Sequence, residues 1–428
     1  MIIKPIKKIR QIIDIPGDKS ISHRAIMLSS IAEGESKIFN FLKGNDPMNT
    51  IACFRQMGVS IDLNGDCVVV RGVGLRGLVR PADVLDVGNS GTTIRLMAGI
   101  LAGQDFQSIV SGDESIKNRP MDRIIKPLRK MGANIKGIDR ENFAPLKIHG
   151  GNIRPIKYKL PVASAQVKSA ILLASLYAKD KTIIVEPKKS RDHTERMMNY
   201  MGADIWSRDR SITSEPLEKL YGKEIYIPGD ISSAAFFLVL GTLVEDGEIL
   251  INGVGLNPTR TGILDVLRQM GASIQIISPR VLNGEPMGDL LVKSSSLKGI
   301  SIGGDMIPRL IDEVPIIAVA ASLAEGKTTI SNAEELKVKE SNRISAMVNE
   351  LKNIGADIEE THDGMIIHGK SEIRGGKIHS YKDHRIAMAL TIAGLVSQEG
   401  VDIDDPNCVD ISFPNFFHII NGVIKDES

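Results

Sequence analysis

Five segments of this chain read as a helix that stops at a Met-Gly or Ile-Gly pair and then becomes a strand. They are Gln56-Met57-Gly58, Lys130-Met131-Gly132, Tyr200-Met201-Gly202, Gln269-Met270-Gly271 and Asn353-Ile354-Gly355, and their glycines lie 74, 70, 69 and 84 residues apart. Glycine supplies the left-handed conformation that ends a helix. The residues that follow, such as Ala272-Ser273-Ile274-Gln275-Ile276, alternate as a half-buried strand does. Between these segments lies a second unit, an apolar small-residue helix that closes on an acidic or polar Gly turn and runs into a β-branched strand. Ile21 to Ile31 before Ala32-Glu33-Gly34 is one copy, and Ala324-Glu325-Gly326 before Lys327-Thr328-Thr329-Ile330 closes another. Further copies start near Gly91, Gln166, Ser232 and His384. A period of about 70 residues exceeds the roughly 20–50 of solenoids, so each copy reads as a compact unit of two helices and several strands. Six units of the second kind alternate with five of the first, and Phe413 to Val423 is expected to serve as a degenerate sixth. Six copies group naturally as two lobes of three.

At 428 residues and 42% hydrophobic content, the chain has ample material for such cores. With 53 Lys+Arg against 52 Asp+Glu, its net charge of +1 argues against a nucleic-acid binder, and 4% aromatics weaken any stacking account. Cys53, Cys67 and Cys408 are scattered, with no CxxC pair, which excludes a disulfide scaffold or Cys-type zinc site and fits a reducing compartment. The opening Met1 to Lys8 lacks the apolar core of a signal peptide, and runs such as Ala234 to Val244 fall well short of the ~20 residues of a membrane helix. A cytoplasmic protein with neither nucleic-acid nor membrane partners is expected.

The helix starts carry the chemistry. Gly17-Asp18-Lys19-Ser20 with Arg24, Gly88-Asn89-Ser90-Gly91-Thr92 with Arg95, Ser164-Ala165-Gln166-Val167-Lys168, and Asp383-His384-Arg385 all open small-residue helices, while Lys339-Glu340-Ser341-Asn342-Arg343 opens one of the other kind. Cations there oppose the helix dipole, and several helices breaking that rule together point to a functional site. Dipole, free N–H groups and Lys or Arg would grip a small, strongly anionic molecule. Each motif taken singly has an ordinary structural reading as well: the Gly88–Thr92 loop as a cap, Lys19 and Arg24 as a solvated face, Arg119-Pro120-Met121-Asp122-Arg123 as a helix opening with Pro at its first position, and His193 and His384 as satisfied core residues. Neither histidine has metal-site spacing. Two acids stand out: Asp312, ahead of Glu313-Val314-Pro315, and Glu340, between Lys339 and Arg343. A carboxylate among cations stays ionised and suits a general base, although an Asp at a helix start can also be only a cap.

These residues resemble the enolpyruvyl transferases. The matching runs are Pro16-Gly17-Asp18-Lys19-Ser20-Ile21-Ser22-His23-Arg24-Ala25, Gly88-Asn89-Ser90-Gly91-Thr92, Asn118-Arg119-Pro120-Met121, Ser164-Ala165-Gln166-Val167-Lys168 and Arg191-Asp192-His193-Thr194-Glu195. Asn257-Pro258-Thr259-Arg260, Asp312-Glu313, Val338 to Arg343 and Asp383-His384-Arg385 follow, in family order across essentially the whole chain. The set is similar to the class II branch, described as glyphosate-tolerant. The resemblance implies an α/β fold, a two-lobed inside-out α/β barrel of six βαβαββ repeats, three per lobe, with substrates in the cleft between lobes. Residues 19–228 would form one lobe, and residues 1–18 with 229–428 the other. It further implies transfer of the enolpyruvyl group of phosphoenolpyruvate to the 5-hydroxyl of shikimate 3-phosphate by addition and elimination of phosphate, by a monomer without metal or cofactor. Lys19, Gly91, Arg119, Gln166, Arg343 and Arg385 would hold phosphoenolpyruvate. Lys19, Ser20, Arg24, Ser164, Ala165, Gln166, Arg191, Asp312 and Lys339 would hold shikimate 3-phosphate. Asp312, Glu340 and Lys19 would be catalytic. Three departures stand against the family pattern: Ala165 replaces a serine, Ile411 stands where other members carry a Lys, and Gly91 is alanine in some tolerant members. The sister enzyme acting on UDP-N-acetylglucosamine is the alternative, but its reactive Cys has no counterpart near Ser111 to Asn118, and Lys19 is followed by Ser20 rather than Asn. A catalytically silent repeat scaffold is the other alternative, and it gives no reason for charged residues at so many helix starts.

Overall fold

A computed structural model describes residues 1–425. By contact density the chain divides into two units: Gly17–Ile227 with Leu282–Glu285, and Met1–Pro16, Pro228–Val281 and the chain from Pro286 onward.

In the first unit, strand Leu85–Asp86 leads into helix Gly91–Ala102, and strand Gln107–Ser111 returns parallel to it. Helix Asp122–Lys130 then crosses back, and the hairpin Asn134–Gly137/Leu146–His149 completes the sheet in the order first, second, fourth, third strand. Residues 157–214 repeat this pattern around helices Ala165–Ser175 and His193–Tyr200. The remaining sheet obeys the same order, but the leading strand for helix Lys19–Ser30 comes from far along the chain: Glu224–Tyr226 pairs parallel with Glu33–Phe39.

The second unit uses the same device. Strand Lys8–Asp14 runs parallel to Asp246–Gly255 and so supplies the leading strand for helix Ile231–Leu243. The middle repeat, from Ser301–Ile302 to Met365–His368, is contiguous in sequence. The last sheet has three strands, with Ile2–Ile3 antiparallel to Val401–Ile403 where a hairpin would stand. Six sheets and repeated βαβαββ units are thus the architecture, the last repeat being truncated.

Two classes of helix follow from two kinds of sequence. The small-residue helices, Lys19–Ser30, Gly91–Ala102, Ala165–Ser175, Ile231–Leu243, Val314–Leu323 and His384–Leu395, are buried nearly all round. Helices apolar on every side belong inside, and here the sheets lie outside them. Small residues let the axes close in: a Cβ on Gly99 would fall 2.2 Å from the Ala170 carbonyl oxygen of the neighbouring helix. The other class is amphipathic. Asp122–Lys130 buries Ile124, Ile125, Pro127 and Leu128 while Arg123, Lys126, Arg129 and Lys130 face water. Burying each such apolar side chain contributes roughly 1.5–3 kcal/mol.

The five stopping glycines, Gly58, Gly132, Gly202, Gly271 and Gly355, have φ between 87° and 108°, the left-handed region their position demands. The last helix expected over Phe413 to Val423 forms as Phe416–Lys425, seated through edge-to-face contacts among Phe236, Phe237, Phe413 and Phe416. One helix start differs from expectation. Helix Asp122–Lys130 takes Met121 as its cap, so Pro120 precedes the helix instead of opening it. Cys53, Cys67 and Cys408 are free thiols, and among the described residues no helix is long and apolar enough to cross a membrane.

Candidate active site

None of the six inner helices has an acid in its first turn. Acids stand instead at the cap position of four of them, Asp18, Asp230, Glu313 and Asp383, which leaves the first turns themselves without negative charge. In each unit, side chains stitch three such starts together.

In the first unit, Asp18 caps helix Lys19–Ser30 by accepting from Ile21 N at 2.9 Å, and Lys19 Nζ reaches Asp46 at 2.7 Å. Arg24, buried on that helix, donates to Ser20 O (2.8 Å), Ser169 Oγ (2.9 Å) and Thr194 Oγ1 (2.7 Å), joining the first inner helix to the third. Burial pulls its pKa down to about 10, against Glu195 and Asp18, which raise it, and with Arg191 lowering it further. Helix Gly91–Ala102 is capped by Ser90 Oγ, and helix Ala165–Ser175 by Ser164 Oγ. Arg95 donates to Gln166 Oε1 at 2.6 Å, and Gln166 Nε2 donates to Thr92 Oγ1 at 3.2 Å. Arg119 donates to Asn89 Oδ1 and Ser115 Oγ, both at 3.0 Å. A Cβ on Gly91 would lie 3.1 Å from Arg95 Nη1 and 3.2 Å from Arg119 Nη1, so this glycine marks a small space between two guanidinium groups. Lys19, Ser20, Arg24, Gly91, Ser164, Ala165 and Gln166 thus gather at one end of the helix trio. Arg119 joins them from the loop before its helix, and Arg191 lies in the loop before helix His193–Tyr200.

His23 belongs to the same end. Its Nδ1 pairs with Thr50 Oγ1 at 2.7 Å, Thr50 pairs with Thr93 at 2.8 Å, and Thr93 donates to the capping Ser90 at 2.7 Å. Burial, then Lys19 and Arg24, hold its pKa well below 6.5. The folded state therefore binds fewer protons than the unfolded chain below pH 6.5, and stability falls as pH drops through that value. Urea denaturation from pH 7 to 5 should show this loss, and His23→Asn should flatten the slope. An unchanged slope would assign the acid sensitivity to other groups.

One cation of the helix-start motifs is spent inside its own unit. Lys168 is 1% exposed and lies between Glu186 (3.1 Å) and Glu195 (2.7 Å). Burial alone would lower its pKa, but the two carboxylates raise it. His193 is likewise structural, its Nδ1 2.7 Å from Glu285 Oε1.

In the second unit, Asp312 is not a cap. Glu313 holds that position and makes no capping bond. The Asp312 carboxylate instead faces Lys339 Nζ and Arg343 Nη1 at 3.5 Å each and Arg260 Nη1 at 3.9 Å. Arg343, 2% exposed, spans Asp383 through Nε (2.9 Å) and Nη2 (3.2 Å) and also donates to Glu340 Oε2 at 2.6 Å. Although burial opposes it, Asp383, Glu340 and Asp312 raise its pKa above the usual arginine value. Asp383 also caps helix His384–Leu395 through Arg385 N at 2.9 Å. Arg385 is 6% exposed, and its Nη1 has no hydrogen-bond partner among the described residues.

The family model for EPSP synthase (3-phosphoshikimate 1-carboxyvinyltransferase) matches residues 3–420. The chain belongs to the EPSP synthase family. It is 53% identical to the 3-phosphoshikimate 1-carboxyvinyltransferase of Alkaliphilus metalliredigens over 99% of this chain and 100% of that protein. It is 55% identical to that of Bacillus licheniformis over 96% of each. The solved EPSP synthase of Acinetobacter baumannii superposes with a TM-score of 0.89 at 44% identity, over 99% of this chain and 97% of that one. The enolpyruvyl transferase NikO of Streptomyces tendae shares the fold, with a TM-score of 0.82 at 14% identity over 98% of this chain and 96% of that one.

Within this EPSP synthase family chain, two arginines acquire a place that motif reading left open. Arg95 follows Gly91 by one helical turn, a spacing that already put both on one face. Arg260 closes the Asn257-Pro258-Thr259-Arg260 run, but only the folded chain brings it to Asp312.

Proposed function

We propose that this chain transfers the enolpyruvyl group of phosphoenolpyruvate to the 5-hydroxyl of shikimate 3-phosphate and releases phosphate. The observation that carries the reading is Arg385, a buried guanidinium whose Nη1 meets no acceptor among the described residues, while the Asp312–Arg343–Glu340 cluster stands on the neighbouring helix starts. A buried cation with an unused donor suits an anionic ligand, since leaving a charged donor unmet is costly. Lys19, Gly91, Arg119, Gln166, Arg343 and Arg385 then hold phosphoenolpyruvate. Arg343 can turn Nη1, its loosest contact, toward the ligand while keeping Asp383. Lys19, Ser20, Arg24, Ser164, Ala165, Gln166, Arg191, Asp312 and Lys339 hold shikimate 3-phosphate. Asp312 takes the proton of the 5-hydroxyl as its oxygen bonds to C2 of phosphoenolpyruvate, and Glu340, with Lys19, delivers a proton to C3. The tetrahedral adduct then returns that proton and expels phosphate, restoring the double bond. A cytoplasmic monomer is part of the same reading.

Phosphate release measured with phosphoenolpyruvate plus either shikimate 3-phosphate or UDP-N-acetylglucosamine tests it directly. Turnover with the first acceptor alone is expected, and turnover with only the second overturns the reading. A methyl at Gly91 would press on both guanidinium groups where the phosphate of phosphoenolpyruvate binds. Gly91→Ala should therefore raise KM for phosphoenolpyruvate by about tenfold, equivalent to roughly 1.4 kcal/mol, and leave KM for shikimate 3-phosphate nearly unchanged. Steady-state kinetics with each substrate varied in turn would reveal an equal effect on both, which would place Gly91 elsewhere.

A further inference from the structure

We infer that Arg260 is a positioning residue for this reaction, fixing the Asp312 carboxylate in the orientation from which it takes the hydroxyl proton; the inference rests on the reading of Asp312 above. Arg260 is 3% exposed, and its contacts run to protein groups around Asp312 and the start of helix Ile231–Leu243. It ends a turn shaped by Asn257, whose Oδ1 accepts from Thr259 N at 2.9 Å and Thr259 Oγ1 at 2.7 Å. Its Nη2 donates to Asp230 Oδ1 at 3.2 Å and to Ser232 Oγ at 2.6 Å, both at the start of helix Ile231–Leu243. Ser232 in turn donates to Glu313, next to Asp312. The guanidinium plane is thereby anchored to two inner-helix starts, and its other arm, Nη1, faces Asp312 Oδ2.

The two oxygens of Asp312 consequently meet different surroundings. Oδ1 faces Lys339 and Arg343, cations expected to engage ligand, whereas Oδ2 faces Arg260, which is held by Asp230 and Ser232. When ligand draws Lys339 and Arg343 away, Arg260 remains as the contact that keeps the carboxylate turned. A rigid planar fork does this better than a flexible ammonium. Misplacement of a reacting group by about 1 Å can cost on the order of a hundredfold in rate.

The test is a double-mutant cycle on turnover. Arg260→Gln should lower kcat about ten- to a hundredfold with both KM values little changed. In an Asp312→Asn background it should add no further loss, because a residue acting through Asp312 has nothing left to position. Should Arg260→Gln fold poorly through loss of its Asp230 contact, Arg260→Lys keeps a cation beside Asp230 but cannot span to Asp312, and the same comparison applies. Multiplicative losses in the double variant, or unchanged kcat in the single one, overturn the inference while leaving Asp312 as the base. Near-normal turnover in Asp312→Asn alone overturns the underlying reading and the inference with it.

Discussion

Asp312→Asn should fold normally and lose turnover by about 10²–10⁴-fold, the contribution typical of a positioned general base. The substitution keeps the shape and one carbonyl oxygen but removes the ability to take a proton. Its effect on binding has two opposing parts. The carboxylate that faces Lys339, Arg343 and Arg260 disappears, so these cations become freer to attract an anionic substrate. A charge-assisted hydrogen bond to the acceptor hydroxyl weakens at the same time, by about 1.5–3 kcal/mol at most. KM for shikimate 3-phosphate should therefore change far less than kcat. Stopped-flow or steady-state phosphate release reads both parameters. If kcat stays near the original value while KM rises steeply, Asp312 is a binding group only, and proton transfer lies with Glu340 or Lys19.

The features legible in sequence were those that short-range physics enforces. The Met-Gly stops could be read because only a left-handed residue ends those helices where they end, and all five glycines adopt that conformation. The inner helices could be read because residues such as Ile316 to Ala321 have no polar face to offer water. What stayed hidden depends on long-range pairing. Nothing local in Glu224–Tyr226 says that it completes the sheet of Glu33–Phe39, nor that Lys8–Asp14 belongs beside Asp246–Gly255. The same holds in the site. Arg24 was recognisable as a cation at a helix start, but three of its donors are spent within its own unit, one of them on Thr194, 170 residues away. A motif states which residues are present; which of them face a ligand depends on partners the motif does not contain.

Lys168 is the sharpest instance, and its removal should be the most damaging change to stability. Three elements of one repeat meet at its ammonium: Lys168 on helix Ala165–Ser175, Glu186 just after strand Thr182–Val185, and Glu195 on helix His193–Tyr200. Glu186 is further engaged by Ser190, and Lys168 also donates to the Ser190 carbonyl oxygen at 3.3 Å. Burial already raises the pKa of Glu195, with Lys168 offsetting part of that rise. Lys168→Met fills the volume but leaves two buried carboxyl groups with no cation, and breaking such a set costs about 3–5 kcal/mol. Against a total stability of roughly 5–15 kcal/mol this is a large share. The sign with pH follows from the remaining acids. Without the ammonium, the folded-state pKa of Glu195 lies further above its unfolded value, so the folded variant binds more protons and loses stability as pH rises. Chemical denaturation should accordingly show a deficit that is larger at pH 8 than at pH 5, and Glu195→Gln added to Lys168→Met should recover part of it. A ligand lysine would behave in the opposite way, raising KM while leaving the denaturation midpoint where it was; that outcome, with no pH-dependent deficit, would place Lys168 in the substrate site.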